Sequence, residues 1–299
     1  MPLPYLHYDV FTNEPLAGNQ LAVFPDGRGL NTARMQRIAR EMNFSESTFI
    51  FPSEQACTDV RMRIFTPHVE MPMAGHPTIG STFALAHTGA IPHGARRFVF
   101  GLNVGPTPVD LEWRDGALAF VWMTQLPPTF GAPLDARAAV AAAIGVAESD
   151  LVADLPVQEV TCGTPYLLLP LRDRAAVDRA FGDLAAFKKL PEGLARMAMF
   201  LFAVDSDSSG KSVYSRMFAP DFGVLEDPAT GSASGPLGCY LVQHGLVSGQ
   251  AAQDIVSHQG VAMGRPSRIH IAIGGRPNAI TDVKVGGEAV LIGRGEIVV

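Results

Sequence analysis

The sequence predicts a fold of mixed strands and helices, of the α/β or α+β class, divided into two domains. Segments with strand-like alternation are interspersed with segments of helical periodicity along the whole chain. The length of 299 residues is about twice the ~150 residues of a typical domain. One motif also recurs about 150 residues after its first occurrence. Together these observations favour two related halves.

Strands are predicted where β-branched, aromatic or alternating apolar residues form short runs. The predicted strands are residues 6–12, 21–24, 47–51, 60–65, 109–113, 118–123, 157–160, 166–169, 199–204, 213–218, 268–273 and 289–299.

Three helices are indicated outside the repeated motif. Asn31 is a suitable N-cap for a helix that continues to about Met42, with Met35 and Ile38 on its apolar face. The other two are residues 135–144, which end before a glycine, and residues 175–181.

The proline-rich stretch 126–133 is the best internal boundary. It predicts a first domain of residues 1–125 and a second of residues 126–286. We expect the final strand, residues 287–299, to return to the first domain.

Composition excludes several classes of protein. Apolar residues make up 47% and charged residues 17% of the chain, which suits large buried cores rather than a disordered protein. The net charge is −6 without a basic stripe, so nucleic acid and anionic membrane surfaces are poor partners. Three cysteines without paired spacing argue against a disulfide framework or a structural zinc site. With no signal-like N-terminus or long apolar run, we expect a soluble, cytoplasmic protein.

The internal repeat consists of two blocks in the same order. Residues 63–67 read Arg-Ile-Phe-Thr-Pro and residues 216–220 read Arg-Met-Phe-Ala-Pro. Each is followed by a Pro-x-x-Gly-Ser segment that opens an apolar, helical stretch. In this alignment His76 matches Asp227 and Pro77 matches Pro228, and both helices are expected to end at glycine, Gly89 and Gly245. A chance similarity between the two segments is the alternative to a duplication.

The start of each repeated helix is a candidate anion site. A proline suits the first helical position, which places His76 and Asp227 at the N-caps. The amides of residues 78–80 and 229–231 then lack helical partners and carry the positive end of the helix dipole. Two such starts facing one cleft would hold a small carboxylate or phosphate. The alternative is that Asp227 acts only as an N-cap.

Glu46 and His76 are candidate acid/base groups. Glu46 lies between the first helix and an apolar strand, where partial burial would raise its pKa toward neutrality. The alternative is a solvated loop carboxylate or a member of a polar turn. His76 is a candidate general acid, substrate hydrogen-bond partner or cap. The sequence lacks the residue spacing of other known motifs. It contains no dinucleotide fingerprint, phosphate-binding loop, zinc motif or nucleophile elbow. Cys239 lies deep in the second helix, which counts against a two-thiol racemase.

These motifs together resemble the PhzF, or phenazine-biosynthesis-like, family of isomerases. The resemblance covers almost the whole chain. Its matching segments are residues 9–11, 18–23, 43–48, 63–67, 74–78, 226–233, 258–260, 264–266 and 285–287.

The resemblance implies a fold and an activity. The fold is α+β and diaminopimelate-epimerase-like: two pseudo-duplicated domains, each a curved, mostly antiparallel sheet wrapped round a central helix. The implied activity is cofactor-free isomerisation, without a metal, of trans-2,3-dihydro-3-hydroxyanthranilate to its keto tautomer, and a homodimer is the common assembly.

The resemblance also assigns roles to residues. The acid/base glutamate of the family matches Glu46, its substrate-orienting histidine matches His76 and its aspartate matches Asp227. We expect these three to be catalytic. The residues expected to bind the substrate are Asn19, Gly75, Thr78, Gly231 and Ser232.

The exact substrate stays open at this stage. Gln20 stands where the family often has proline, and Met71 and Met73 stand where it often has leucine and phenylalanine, so the pocket can be reshaped. Two other functions are kept as alternatives: a racemase or epimerase of an amino or hydroxy acid, and a ligand-binding or interaction protein without catalytic activity.

Overall fold

The computed structural model describes residues 2–205, 212–220 and 223–298, so positions 1 and 299 of the predicted first domain, and position 299 of the predicted last strand, lie outside the described residues. The strands are β1 (Pro2–Val10), β2 (Asn19–Phe24), β3 (Glu46–Pro52), β4 (Val60–Phe65), β5 (Glu70–Met71), β6 (Arg97–Leu102), β7 (Gly105–Arg114), β8 (Ala117–Thr124), β9 (Thr129–Pro133), β10 (Gln158–Thr161), β11 (Pro165–Pro170), β12 (Ala198–Val204), β13 (Ser212–Ala219), β14 (Val224–Asp227), β15 (Ile255–Gln259), β16 (Ser267–Arg276), β17 (Ala279–Gly287) and β18 (Ala289–Val298). The α-helices are α1 (Thr32–Met42), α2 (Gly75–His87), α3 (Arg137–Ala143), α4 (Arg174–Arg179), α5 (Leu184–Phe187), α6 (Glu192–Ala195) and α7 (Gly231–Gln243).

The chain divides into two compact units. Unit 1 comprises Met1–Thr124 together with Gly286–Val299, and unit 2 comprises Gln125–Val285. The proline-rich stretch 126–133 is not a bare linker, because it contains β9, which pairs with β10 inside unit 2.

Both units pair their strands in the same order. In unit 1, β1–β2 is antiparallel, β2–β3 parallel, β3–β4 antiparallel, β4–β6 parallel and β6–β7 antiparallel. In unit 2, β10–β11 is antiparallel, β11–β12 parallel, β12–β13 antiparallel, β13–β15 parallel and β15–β16 antiparallel. This identity of pairing confirms the predicted pseudo-duplicated α+β fold with mostly antiparallel sheets.

A buried helix lies at the centre of each unit. Helix α2 packs against β1, β2, β3, β8 and β18, and α7 packs against β10, β11 and β16. Each helix has 13 residues, nearly all of them buried. Gly89 and Gly245, with φ of 78° and 71°, follow the two helices as predicted, because glycine adopts this left-handed conformation without strain.

The predicted register of the repeat is wrong at the helices. Helix α2 begins at Gly75 and α7 at Gly231, so His76 is equivalent to Ser232 rather than to Asp227. The true repeat reads Glu-x-Pro-x-x-Gly, at residues 70–75 and 226–231. The N-caps are Ala74 and Thr230.

An arginine–glutamate pair marks equivalent places in the two units. Arg63 Nε donates to Glu70 Oε1 over 2.8 Å, and Arg216 Nε donates to Glu226 Oε1 over the same distance. The second guanidinium nitrogen of each arginine donates to the other carboxylate oxygen of its partner. These bidentate pairs fix the hairpin that leads into each central helix.

Helix α1 has the predicted limits. Asn31 Oδ1 accepts a hydrogen bond from the Arg34 amide over 2.9 Å, which is the expected N-cap geometry. Met35 and Ile38 are buried as predicted, in a core cluster with Phe24 and Phe49. No helix within the described ranges is long and apolar enough to cross a membrane.

Candidate active site

Glu46 and His76 lie together in unit 1. Glu46 is the first residue of β3, and its Oε2 is 3.4 Å from Nε2 of His76. The Glu46 side chain is 16% exposed, whereas that of His76 is 4% exposed. On the other side of the ring, Asn19 Nδ2 lies 3.3 Å from His76 Nδ1. The structure therefore brings three predicted site residues into one cluster, and it rules out the fully solvated loop carboxylate considered for Glu46.

Packing between strand and helix sets the distance between these two groups. Thr48 Oγ1 and Ser81 Oγ, both fully buried, are 2.8 Å apart and tie β3 to α2. Gly80 allows the helix to approach the sheet closely, because a Cβ there would stand 2.6 Å from side-chain carbons of Val10 and Leu21. The strand that carries Glu46 and the helix that carries His76 are thus held rigidly.

His76 is neutral in the folded protein. Burial lowers the pKa of its imidazole to about 3, and a hydrogen bond with the backbone of Gln20 offsets part of that effect. A neutral imidazole carries one N–H donor and one acceptor nitrogen. The imidazole of His76 therefore presents a fixed donor and acceptor near the Glu46 carboxyl rather than a positive charge.

Acid is expected to destabilise the protein through His76. Between a folded pKa of about 3 and an unfolded pKa of about 6.5, the unfolded state binds more protons. The stabilising contribution is therefore complete above about pH 6.5 and is lost as the pH falls toward 3, by up to ~1.4 kcal/mol per pH unit. Urea unfolding at about pH 7.5 and about pH 5 should show a larger loss of unfolding free energy for the wild type than for His76→Asn. Equal losses would contradict the neutral, buried state of the imidazole.

Asp227 occupies a hydrogen-bonded turn in unit 2. It ends β14 and is 6% exposed, and Thr230 Oγ1 donates to its Oδ2 over 2.6 Å. Gln259, which is fully buried, accepts from the Thr230 amide over 3.0 Å and donates to the Asp227 carbonyl over 2.7 Å. Asp227 is therefore held in place by side chains but is not the N-cap of α7, which corrects the sequence prediction.

Ser232 is the second residue of α7. Its Oγ lies 2.6 Å from the hydroxyl of Tyr166, a residue of β11. The carbonyl of the preceding residue, Gly231, accepts from Gln125 Nε2 over 2.9 Å. Both residues at the start of α7 are thus fixed by neighbouring side chains.

The free helix amides differ from the predicted ones. The amides at the start of a helix lack intrahelical acceptors. With the observed helix limits, these are the amides of Gly75 and His76 in α2 and of Gly231 and Ser232 in α7. The proline expected at the first helical position is instead the third residue of α2, Pro77. Three of these four residues, Gly75, Gly231 and Ser232, are among those predicted to bind the substrate.

Thr78 has its hydroxyl engaged inside the helix. Its Oγ1 donates to the carbonyl of Ala74 over 2.8 Å, as Ser234 Oγ does to the carbonyl of Thr230 over 3.0 Å. The assignment of Thr78 to substrate binding stays a prediction, and its hydroxyl hydrogen is already bonded to the Ala74 carbonyl within the first turn of α2.

Three supporting residues escaped the sequence analysis: Tyr166, Gln125 and Gln259. Gln259 stands in the His-Gln-Gly segment that carried part of the resemblance, which is a usable signal. Tyr166 lies in an ordinary apolar strand, and Gln125 lies at the predicted domain boundary. Nothing local marks either of them.

The cysteines are separate from these clusters. Cys162 and Cys239 are buried in the core of unit 2 with their Sγ atoms 3.8 Å apart, and Cys57 is exposed. Among the described residues, no group of three or more His, Cys, Asp or Glu side chains is arranged to hold a metal ion.

Comparisons with known proteins identify the family of the chain. Residues 8–295 match the profile of the PhzC-PhzF family, described as phenazine biosynthesis-like protein. The chain is 37% identical over 295 residues to the trans-2,3-dihydro-3-hydroxyanthranilate isomerase of Pseudomonas chlororaphis, and the match covers 98% of this chain and 99% of that protein.

Solved structures show the same fold. A PhzF-family phenazine biosynthesis protein of Bacillus anthracis matches with a TM-score of 0.88 and 25% identity over the full length of both chains. A probable proline racemase of Agrobacterium radiobacter matches with a TM-score of 0.65 and 12% identity, over 100% of this chain and 93% of that one. These matches confirm the resemblance drawn from the motifs and the epimerase-like fold. The chain is an isomerase that belongs to the phenazine biosynthesis-like (PhzC-PhzF) protein family.

Proposed function

We propose that the chain isomerises a small, unsaturated, carboxylate-bearing substrate, with Glu46 as the group that moves the hydrogen. The observation that carries this proposal is the half-buried Glu46 carboxyl beside the neutral imidazole of His76. Glu46 takes a proton from an activated carbon and returns it at another carbon, so that the double bond migrates. A positioned general acid/base contributes typically ~10²–10⁴-fold to such a step.

His76 and Asp227 bind the polar groups of the substrate. The neutral imidazole offers one donor and one acceptor, and the carboxylate of Asp227 accepts hydrogen bonds from a hydroxyl or ammonium group. Asn19 orients the imidazole ring through its amide, 3.3 Å from Nδ1. Together these groups fix the reacting carbons near Glu46. Positioning of this kind lowers the activation barrier by several kcal/mol.

The free amides at the two helix starts bind the carboxylate. Amides at a helix N-terminus combine hydrogen-bond donors with the positive end of the dipole. Gly75, Gly231 and Ser232 contribute amides, and the Ser232 hydroxyl adds a donor. The hydroxyl of Thr78 supports this set indirectly, because it donates to the carbonyl of Ala74 and so holds the first turn of α2. The proposal requires that the groups of both units act on one substrate molecule.

The substrate class follows from the relatives. Trans-2,3-dihydro-3-hydroxyanthranilate, named for several of them, carries a carboxylate, an amine, a hydroxyl and ring unsaturation. These are the four features that the proposed site requires. We therefore propose this compound, or one with the same groups in the same arrangement, as substrate.

The duplication favours an isomerase over a racemase. The register of β3 on β4 and of β12 on β13 makes Ala198 the equivalent of Glu46, and Ser232 is the equivalent of His76. A racemase that removes a proton on one face and returns it on the other uses two acid/base groups. At these equivalent positions unit 2 offers an alanine and a serine, which supports a reaction in which Glu46 alone moves the proton.

The test is incubation of the purified protein with trans-2,3-dihydro-3-hydroxyanthranilate, followed by chromatography and absorbance spectra. The expected result is a product of unchanged mass and altered absorbance, formed without an added cofactor. A parallel panel of proline, hydroxyproline and other amino acids is read by chiral chromatography. Inversion of one of those, with no isomerisation of the dihydro compound, would reject the proposal in favour of a racemase.

The assembly and location complete the proposal. A homodimer is implied by the family resemblance, and the cysteine pattern fits a reducing, cytoplasmic location. Size-exclusion chromatography with light scattering measures the first and cell fractionation the second.

A further inference from the structure

Tyr166 contacts the proposed anion site, although no step of the proposed reaction uses it. Its hydroxyl is 2.6 Å from Ser232 Oγ. Tyr166 itself is 6% exposed and packs in the core cluster around α7, whereas Ser232 is half-buried at the start of that helix. The phenol thus reaches from the core to a side chain assigned to the substrate.

We propose that Tyr166 is a positioning residue that orients the Ser232 hydroxyl toward the substrate carboxylate. This inference rests on the proposed function. It assigns to the tyrosine no contact with the substrate itself.

The direction of the hydrogen bonds follows from the number of hydrogens. A serine hydroxyl has one hydrogen and two lone pairs, and a carboxylate is an acceptor only. When Ser232 donates its single hydrogen to the substrate, its contact with Tyr166 persists only with the phenol as donor. The resulting chain runs from the Tyr166 O–H through the Ser232 O–H to the anion. Each link polarises the next, so the serine becomes a stronger donor.

The backbone around this contact is held on both sides. Strand β11 pairs with β10 and β12, and Tyr166 is opposite Val160 in one ladder and Ala198 in the other. The residue before Ser232 is fixed as well, through the hydrogen bond from Gln125 to the carbonyl of Gly231. Because neither partner can shift easily, the phenol selects one rotamer of the serine.

A double-mutant cycle tests this inference in the full-length protein. Calorimetric titration with anthranilate, a stable aromatic carboxylate, compares the wild type, Tyr166→Phe, Ser232→Ala and the double variant. The matched control is Tyr240→Phe, which removes a hydroxyl that also makes a 2.6 Å hydrogen bond, to the carbonyl of Pro156. The same variants are assayed for KM and kcat with trans-2,3-dihydro-3-hydroxyanthranilate.

The expected result is coupling between the two hydroxyls. Tyr166→Phe should weaken anthranilate binding by about 2- to 10-fold, the range of one hydrogen bond, and should raise KM more than it lowers kcat. In the Ser232→Ala background the tyrosine substitution should have no further effect. Tyr240→Phe should bind like the wild type.

Three other outcomes have distinct meanings. Equal effects of Tyr166→Phe with and without Ser232 would overturn the inference, because the loss would then be structural. A wild type that neither binds anthranilate nor isomerises the dihydro compound would overturn it together with the anion site. Binding with the expected coupling but without isomerisation would support the inference and reject the proposed reaction.

Discussion

Glu46→Gln is expected to lower turnover of the dihydro compound by ~10²–10⁴-fold, the contribution of a positioned acid/base group. Glutamine keeps the shape of the side chain and its place 3.4 Å from His76, but it cannot accept and return a proton. Because binding groups are unchanged, kcat should fall while anthranilate affinity stays close to that of the wild type. Steady-state kinetics and the same calorimetric titration measure the two effects.

Glu41→Gln is the matched control for this prediction. Glu41 is exposed in the last turn of α1, so the substitution removes an equal charge from the same unit away from His76. Its turnover should equal that of the wild type. Full activity of Glu46→Gln would remove the glutamate from the mechanism.

Arg216→Met is expected to lower the free energy of unfolding by about 3–5 kcal/mol, because it leaves buried charge and polar groups without their partner. The Arg216 guanidinium binds Glu226 through two nitrogens and also donates to three backbone carbonyls of residues 177–180. Its side chain is only 8% exposed. The equivalent Arg63 is 21% exposed, so Arg63→Met should cost clearly less.

Two spectroscopic probes measure the stability of the Arg216→Met and Arg63→Met variants. Both tryptophans, Trp113 and Trp122, are in unit 1, so their fluorescence follows that unit, whereas circular dichroism follows both units. In urea, Arg216→Met should shift the dichroism transition more than the fluorescence transition if the units unfold separately. Equal stability of the two arginine variants would contradict the larger contribution to stability expected of the Arg216–Glu226 pair.

The sequence predicted the duplication but not its register. The matching letters Pro-x-x-Gly-Ser aligned His76 with Asp227, because proline is common in the first turn of a helix. The helices instead begin at the glycines of the Glu-x-Pro-x-x-Gly repeat, and Pro77 lies in the third position of α2. Only the hydrogen-bonded hairpins before the helices, with their arginine–glutamate pairs, reveal which residues are equivalent.

Among the described strands, those that escaped prediction are β5, β6, β9, β14, β15 and β17. The shortest of them depend on their neighbours. Strand β5 has two residues, and β14 has four that include two acidic side chains. Local patterns carry little signal for such segments, because pairing with an adjacent strand rather than propensity stabilises them. The strongly apolar β12 was predicted almost to the residue, whereas β6, with two phenylalanines, and the nine-residue β17 were missed.

The candidate site was accessible to sequence reasoning only in part. Glu46 and His76 were predicted, and the structure places their reactive atoms close together. The catalytic and binding roles of all eight predicted residues stay predictions. The Tyr166–Ser232 contact spans 66 positions along the chain, and no spacing rule relates residues that meet only through the packing of β11 on α7.

The most direct test of the central claim is proton NMR of trans-2,3-dihydro-3-hydroxyanthranilate with the purified protein in D₂O. We expect the ring signals of the substrate to be replaced by those of an isomer whose double bond has moved, with hydrogen delivered to a ring carbon. With Glu46→Gln the substrate signals should persist. An unchanged substrate with the wild type, or exchange at one carbon without migration of the double bond, would contradict isomerisation through Glu46.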